Sequence, residues 1–392
     1  MGDGRRELPR PPRRIPSGPQ TTIEPRRPVS PEPLPPKLRF RFLVPLVVFV
    51  LVLGAGAGWL VREQSLGLDT EKVLGLAGPS VVRVLATTCD GTGQASGVLL
   101  PGGLVLTAAS AIRTPVSVAL LTDNGRVRQA NVLGVTRDGI GVLRVRGRLE
   151  FPTATIAEGP PRDAAERAFV AYDGDGDQVI RQAGTANRPR ALTDILDDGA
   201  LGAPLVDHDG DVIGLLAGET VATGKVIGLT ELRGYAGPDA AITPEPTGGC
   251  QFARGPQHAA EPDLAVANTP LAGEVRATLG EYLDTLNRHD FDAMQDTYSE
   301  RLKDRGDAKV DARKHGTSYA FGAVITEVTA GDGGDAADAR MSFTVLFSPN
   351  SAGARGQTCS RLDIRYHLVR EQQRLRIDST ATLTGSPGCD TD

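Results

Sequence analysis

The chain has 392 residues, which is enough for two or three domains. Its net charge of -5 and its pI near 5.7 argue against a nucleic-acid-binding protein, because such proteins are usually basic. Aromatic residues make up only 4% of the chain, so the hydrophobic cores must consist mainly of Val, Leu, Ile and Ala.

Residues 1–41 are rich in proline and arginine and show no apolar periodicity. Proline removes backbone donors and disfavours helix, which predicts a disordered tail that is partly polyproline II. Thr21, Thr22 and Ser30 lie among these arginines and prolines. The sequence leaves open whether a kinase phosphorylates them or whether the tail is an inert basic anchor.

Residues 42–61, FLVPLVVFVLVLGAGAGWLV, contain no charge. At about 1.5 Å per residue they cross the hydrocarbon core of a lipid bilayer, and they lie too far into the chain for a secretory signal peptide. We therefore predict one transmembrane helix. Basic residues precede it, so the positive-inside rule places the tail in the cytoplasm and residues 62–392 outside the cell membrane. Gly54 and Gly58 have the spacing that allows two such helices to form a homodimer.

Residues 70–240 contain many short segments of β type, separated by Gly, Pro, Asp and Asn. Regular short strands with turn signals predict an all-β barrel or sandwich. Residues 241–270 lose this periodicity and are predicted to be a linker.

Residues 271–392 begin with helical spacing at Val275, Leu279, Leu283 and Leu286 and continue with four strand-like segments. Helices followed by an antiparallel meander predict an α+β domain. In pattern and length the domain resembles the NTF2-like (SnoaL-type) cone fold, which hosts enzymes and binding modules alike, so the resemblance implies no particular function.

Four polar residues are candidates for lining a pocket in such a cone: Tyr282, Asp284, Asp290 and His367. Exposed positions on helices and strands explain these residues equally well, so we assign none of them a catalytic role.

Three landmarks in the β region occur in a family-specific order: ASGVLLPGGLVLTAASAI at 95–112, TRDGIGVLRV at 136–145 and DDGALGAPLVDHDGDVIGLLAG at 197–218. Together they resemble the histidine, aspartate and nucleophile segments of the trypsin-like serine proteases, in particular the HtrA-related group. The resemblance implies a double β-barrel. The full predicted architecture is therefore multidomain: a transmembrane helix, a trypsin-like double β-barrel and an NTF2-like α+β cone.

Serine-protease chemistry needs a hydroxyl nucleophile, an imidazole base and a carboxylate that orients the base. The resemblance places Ser110 at the histidine position, Gly139 at the aspartate position and Leu201 at the nucleophile position. We therefore predict a degenerate protease domain and a chain that is not an enzyme. Asp138 would need a bulge to replace the aspartate, and His208 is expected to be a solvated turn residue.

The sequence DHDGD at 207–211 has alternating carboxylates but lacks the other ligands of a calcium loop, so a polar turn is expected.

We predict no metal and no cofactor. The favoured function is a membrane-anchored envelope protein whose two domains bind or scaffold an envelope protein or an extended peptide. The alternatives are an active serine endopeptidase with a misaligned triad, and small-ligand binding or catalysis in the C-terminal pocket.

Four cysteines fit an oxidising compartment and allow three pairings. Cys359 opens the third C-terminal strand and Cys389 follows the fourth, beyond a hairpin turn near residues 371–373. A short fold-back of the tail would bring these two within disulfide distance. That leaves Cys89 to pair with Cys250. We predict both bridges.

Overall fold

The computed structural model describes Phe49 and residues 68–147, 150–256, 259, 261–384 and 387–390. The predicted tail at 1–41 and the predicted span at 42–61, with Gly54 and Gly58, lie outside these residues apart from Phe49. Within the described ranges, no helix combines the length and the apolar character needed to cross a membrane. The elements below belong to one compact unit, residues 60–392.

The first half of the β region is a closed antiparallel barrel in the order β1-β2-β3-β6-β5-β4. Its strands are β1 (Val81–Thr88), β2 (Gln94–Leu100), β3 (Leu104–Ala108), β4 (Pro115–Leu121), β5 (Val127–Val135) and β6 (Ile140–Val145). The β2–β3 connection is the predicted Pro-Gly-Gly turn, in which Gly102 has φ +76°. A helix that the sequence pattern did not reveal, α1 (Thr70–Ala77), precedes the barrel and starts at Asp69, whose carboxylate accepts a hydrogen bond from the Lys72 amide.

The second half is an antiparallel sheet in the order β12-β11-β10-β7-β8-β9. Its strands are β7 (Arg167–Tyr172), β8 (Gln178–Thr185), β9 (Arg188–Pro189), β10 (Pro204–Val206), β11 (Val212–Ala217) and β12 (Lys225–Gly228). Helix α2 (Leu229–Ala236) follows directly. The segment KVIGLTEL at 225–232, which counts among the short β-type segments of the sequence, is thus half strand and half helix, because the later residues bury Leu232 and Tyr235 on one helical face.

Two hydrophobic cores join the barrel and the second sheet. One contains Leu99 and Leu143 from the barrel together with Phe169 and Leu216 from the sheet. Since the same cores receive side chains from both halves, the barrel and the second sheet pack together as one β domain.

The segment 241–270, predicted to be a linker, is held against the barrel at several points. Thr243 exchanges two backbone hydrogen bonds of 2.8 Å with Val135, and Arg254 exchanges bonds of 2.7 and 2.6 Å with Thr88. The predicted Cys89–Cys250 disulfide is present, with a Cα–Cα distance of 5.8 Å. An isolated pair of backbone hydrogen bonds does not require alternating apolar and polar residues. This explains why the sequence of the segment shows no periodicity.

The C-terminal region is α+β, as predicted. Its helices are α3 (Pro270–Arg288), α4 (Phe291–Gln295), α5 (Glu300–Lys303) and α6 (Ala308–His315). The sheet order is β13-β14-β15-β16-β17, with β13 (Asp263–Leu264), β14 (Tyr319–Ala330), β15 (Ala336–Leu346), β16 (Cys359–Glu371) and β17 (Arg374–Thr382). The predicted apolar face of α3 is buried, and His289 ends the helix in the left-handed conformation with φ +56°.

The C-terminal sheet is fixed at its end and packed on the barrel. Gln372 and Gln373 form the predicted β16–β17 turn, with φ values of +49° and +67°. The predicted Cys359–Cys389 disulfide follows, with a Cα–Cα distance of 5.6 Å. Both cysteines belong to a third core, which combines barrel residues with residues of the C-terminal sheet. The members of this core are Leu85, Ala119, Tyr319, Phe321, Leu346, Cys359 and Cys389.

Candidate functional site

The three predicted triad positions lie around one short segment, Leu216–Gly218 at the end of β11. The Ser110 hydroxyl donates a hydrogen bond of 2.8 Å to the carbonyl of the last residue of the segment. A Cβ atom at Gly139 would lie 3.9 Å from the Cβ of the middle residue. Gly202, which follows Leu201, donates its amide to the carbonyl of the first residue at 2.7 Å. The fold therefore brings together positions that are far apart in the sequence.

Ser110 is buried in the short 3-10 helix Ala109–Ile112 that follows β3. Its side chain donates to Gly218, and its own carbonyl accepts the Thr92 amide at 3.0 Å. The first contact connects the end of β3 to the end of β11, and the second connects it to the β1–β2 loop. A serine hydroxyl at this position cannot act as an imidazole does, because it has no protonation equilibrium near neutral pH.

Gly139 lies in the tight turn between β5 and β6 with φ +85°, a conformation that favours glycine. Its neighbour Asp138 accepts a hydrogen bond from the Tyr235 hydroxyl of α2 and lies 3.7 Å from the Lys225 ammonium of β12. The Tyr235 hydrogen bond is the main reason that the pKa of Asp138 lies below its usual value. Besides the adjacent Arg137, the partners of Asp138 thus come from β12 and α2.

Leu201 is only 1% exposed and packs into the core that joins the two halves of the β domain. Its carbonyl accepts the Ser96 amide at 2.8 Å, and its amide donates to the Asp198 carbonyl at 3.3 Å. The Gly199 amide donates to the Asp197 carboxylate at 2.9 Å. The backbone amides of Gly199 and Leu201 therefore donate to acceptors within the same loop.

His208 lies in the predicted polar turn after β10. Its side chain is 49% exposed and its Nε2 atom lies 3.1 Å from the Asp209 carboxylate. The Asp207 carboxylate accepts the amides of Asp209 and Asp211 at 3.0 and 3.1 Å, which forms an Asx turn. The side-chain ligand atoms of residues 207–209 lie within 4.8 Å of one another. Their hydrogen bonds account for the conformation of the turn.

An acidic pocket beside the Leu201 loop was not predicted. It has a volume of about 200 Å³, and its wall includes Asp173, Asp194 and Asp197 together with Arg181 and Ala200. Asp173 and Asp197 hold turns by accepting backbone amides. Asp173 comes from a different segment of the chain than Asp194 and Asp197, so no spacing in the sequence indicates that the three share a pocket.

Residues 95–215 match the family model of the trypsin-like peptidase domain. The chain therefore contains a trypsin-like peptidase domain. This match confirms the predicted resemblance and places the domain on the barrel and the sheet described above. No curated protein is significantly similar to the chain.

Solved structures that resemble the chain include bacterial proteases. The Rv3671c protease of M. tuberculosis in an inactive form is 21% identical, with 43% of this chain and 98% of that chain covered and a TM-score of 0.35. The serine endoprotease from Yersinia pestis is 19% identical, with coverages of 43% and 64% and a TM-score of 0.35. The HtrA-type protease AlgW with a tripeptide is 18% identical, with coverages of 43% and 63% and a TM-score of 0.35.

The prediction that the chain is not an enzyme is contradicted and is withdrawn. It is overturned by the family match, because the matched family is a peptidase family. The correspondence of Ser110, Gly139 and Leu201 to the triad of that family stays a prediction. Their common position around Leu216–Gly218 is a property of this structure and does not depend on the correspondence.

Proposed function

We propose that the trypsin-like peptidase domain recognises an extended polypeptide chain beside the Leu201 loop. The observation that carries the proposal is the peptidase-family match, which spans residues 95–215 and so includes the Leu201 loop and most of β11. An extended chain offers backbone donors and acceptors to neighbouring strands, and its side chains enter pockets that determine specificity. The acidic pocket adjoins the Leu201 loop through Ala200 and is the pocket best placed for this role.

The charge of this pocket favours a basic side chain. Three carboxylates and one guanidinium line it. Asp173 and Asp197 are occupied by backbone amides, whereas Asp194 is exposed and its carboxylate has no hydrogen bond to any residue that the structure describes. Asp194 is therefore available to a lysine or an arginine of a bound polypeptide, and its replacement would leave the turns intact.

The proposal predicts that a peptide with a central arginine binds about tenfold more tightly than the same peptide with glutamate at that place, which corresponds to about 1.4 kcal/mol. Asp194→Asn is expected to remove most of this preference, and fluorescence anisotropy with labelled peptides measures it. Asp239→Asn is the matched control, because Asp239 is an exposed aspartate outside the pocket. Equal affinity for both peptides, or an Asp239→Asn protein that behaves like Asp194→Asn, would argue against the proposal.

Hydrolysis of the bound chain is the second candidate function, and the peptidase-family match favours it. Leu201 has no nucleophilic atom and Gly139 has no side chain, so a reaction would use groups outside these positions. Mass spectrometry of the same peptides after incubation shows whether they are cleaved. Labelling with a fluorophosphonate probe, followed by peptide mapping, would identify the serine responsible.

We also propose that residues 42–61 anchor the protein in the cell membrane and that its folded domains bind or scaffold a partner outside it. The uncharged run and the basic residues before it support the anchor, and two disulfides fit an oxidising compartment. The NTF2-like character of the C-terminal domain stays a prediction.

We expect the full chain to remain in the membrane fraction after alkaline extraction and a chain that lacks 42–61 to be soluble. Release of the full chain by this treatment would contradict the anchor.

A further inference from the structure

The C-terminal domain contains a cavity of about 730 Å³, which lies outside the peptidase domain. Small-molecule sites typically have volumes of about 300–1,000 Å³. One wall is a face of the sheet, because Leu362, Ile364 and Tyr366 alternate along β16 and point to the same side. The opposite wall comes from α3 and the short helices after it.

The inside of the cavity is aromatic and aliphatic. The Tyr282 ring lies 6.2 Å from the Tyr298 ring and 6.2 Å from the Tyr366 ring, and Phe343 and Leu286 also line the cavity. Burial raises the pKa of Tyr282 to about 12 and also raises the pKa values of Tyr298 and Tyr366, so all three hydroxyls are neutral at physiological pH. The Tyr366 hydroxyl has no hydrogen-bond partner among the described residues, and the wall therefore retains an unused polar group.

The charges of the cavity are unevenly placed. Arg305, Lys314 and Arg355 line it, are exposed, and form no ion pair with any residue that the structure describes. The one carboxylate on the wall, Asp311, is 9% exposed and accepts a hydrogen bond of 2.6 Å from Gln295. Burial lowers the pKa of the adjacent His315, which favours its neutral form. The Asp311 carboxylate would thus repel an anionic group from the interior of the cavity, whereas the three exposed basic side chains would attract it to the opening.

We propose that this cavity binds a small amphipathic anion, with its apolar body among the tyrosines and its negative group beside Arg305, Lys314 and Arg355. This site is independent of the polypeptide site proposed for the peptidase domain. Of the candidates predicted from the sequence, only Tyr282 lines the cavity. Asp284 pairs with Arg288 at 2.9 Å, and Asp290 caps α4 through the Ala293 amide at 3.1 Å. His367 lies 3.0 Å from Asp338.

The test uses two fluorescent probes of the same shape that differ in charge: anilinonaphthalene sulfonate and its uncharged parent, N-phenyl-naphthylamine. With the full chain, we expect the sulfonate to bind about fivefold more tightly than the parent. Arg305→Gln combined with Arg355→Gln should remove this difference while the parent still binds. Arg188→Gln is the control, since Arg188 is an exposed arginine on β9.

A second variant tests the location of the probes. Thr380 is exposed, lines the cavity and lies opposite Tyr366 in the sheet, so Thr380→Trp should close the mouth without entering the core. We expect probe fluorescence to fall by at least about fivefold in this variant while the circular dichroism spectrum is unchanged. The inference is overturned if native and Thr380→Trp proteins bind the probes equally, if neither probe binds, or if both probes bind with the same affinity. None of these results bears on the peptide affinities that test the proposed function.

Discussion

Replacement of both Cys89 and Cys250 by alanine is expected to lower the free energy of unfolding of the β domain by about 5 kcal/mol, the chain-entropy value for a loop of this length. The two cysteines are separated by 161 residues, so their bridge restricts almost the whole domain in the unfolded state. Next to it, the Cys250 amide donates to Cys89 Sγ at 3.2 Å, and Thr88 pairs with Arg254. Urea unfolding followed by far-ultraviolet circular dichroism measures the loss.

The second disulfide is the internal control for this prediction. Cys359 and Cys389 are 30 residues apart, and the same entropy argument gives about 3.5 kcal/mol for their loss. We therefore expect the Cys89–Cys250 variant to be the less stable of the two. The opposite order would show that loop length does not control the effect, and losses below about 1 kcal/mol for both would contradict the stabilising role of the bridges.

Strands whose signals are local were predicted well from the sequence. β2 and β3 flank a Pro-Gly-Gly turn, and β14 to β17 are long alternating segments separated by glycine or polar turns. The cysteine pairing followed from the position of Cys359 at the start of β16 and of Cys389 after β17. In these cases neighbouring residues determine the conformation, and little tertiary information is needed.

Elements that depend on tertiary packing were missed or misread. Helix α1 has only eight residues, so its pattern is too short to recognise. The pattern from Lys225 to Leu232 resembles a single strand because β12 and the start of α2 both contain apolar residues. The helical part of the C-terminal domain is one long helix, α3, followed by three short ones, which end at Asp296, Asp304 and Gly316.

The functional regions could be predicted only in part. Ser110, Gly139 and Leu201 followed from the order of three motifs, but their common position around Leu216–Gly218 arises from the packing of barrel against sheet. The acidic pocket and the C-terminal cavity combine side chains from segments far apart in the chain. A local sequence pattern does not show which distant segments meet in the fold. Asp194 was therefore missed.

The Leu201 loop also depends on a close backbone approach, and this leads to the second large effect. Gly202→Ala is expected to lower the free energy of unfolding by more than about 4 kcal/mol, among the larger effects seen for single substitutions. Gly202 has φ +83°, and a Cβ atom there would lie 2.2 Å from the Ser96 carbonyl oxygen and 2.7 Å from the Ala108 amide nitrogen. Both atoms belong to the backbone of barrel strands, so they cannot move aside without breaking the pairing of β2 and β3.

A matched glycine separates this steric effect from the cost of the left-handed conformation. Gly102 has φ +76° in the β2–β3 turn, and a Cβ atom there would meet nothing within 4 Å. Gly102→Ala should therefore lose only about 1–2 kcal/mol, which is the cost of the left-handed backbone for an L residue. Urea unfolding of the two variants gives the comparison directly. If Gly202→Ala were no less stable than Gly102→Ala, the loop would be able to move away from β2 and β3. The burial of Leu201 and the position of the acidic pocket would then not be fixed by this contact.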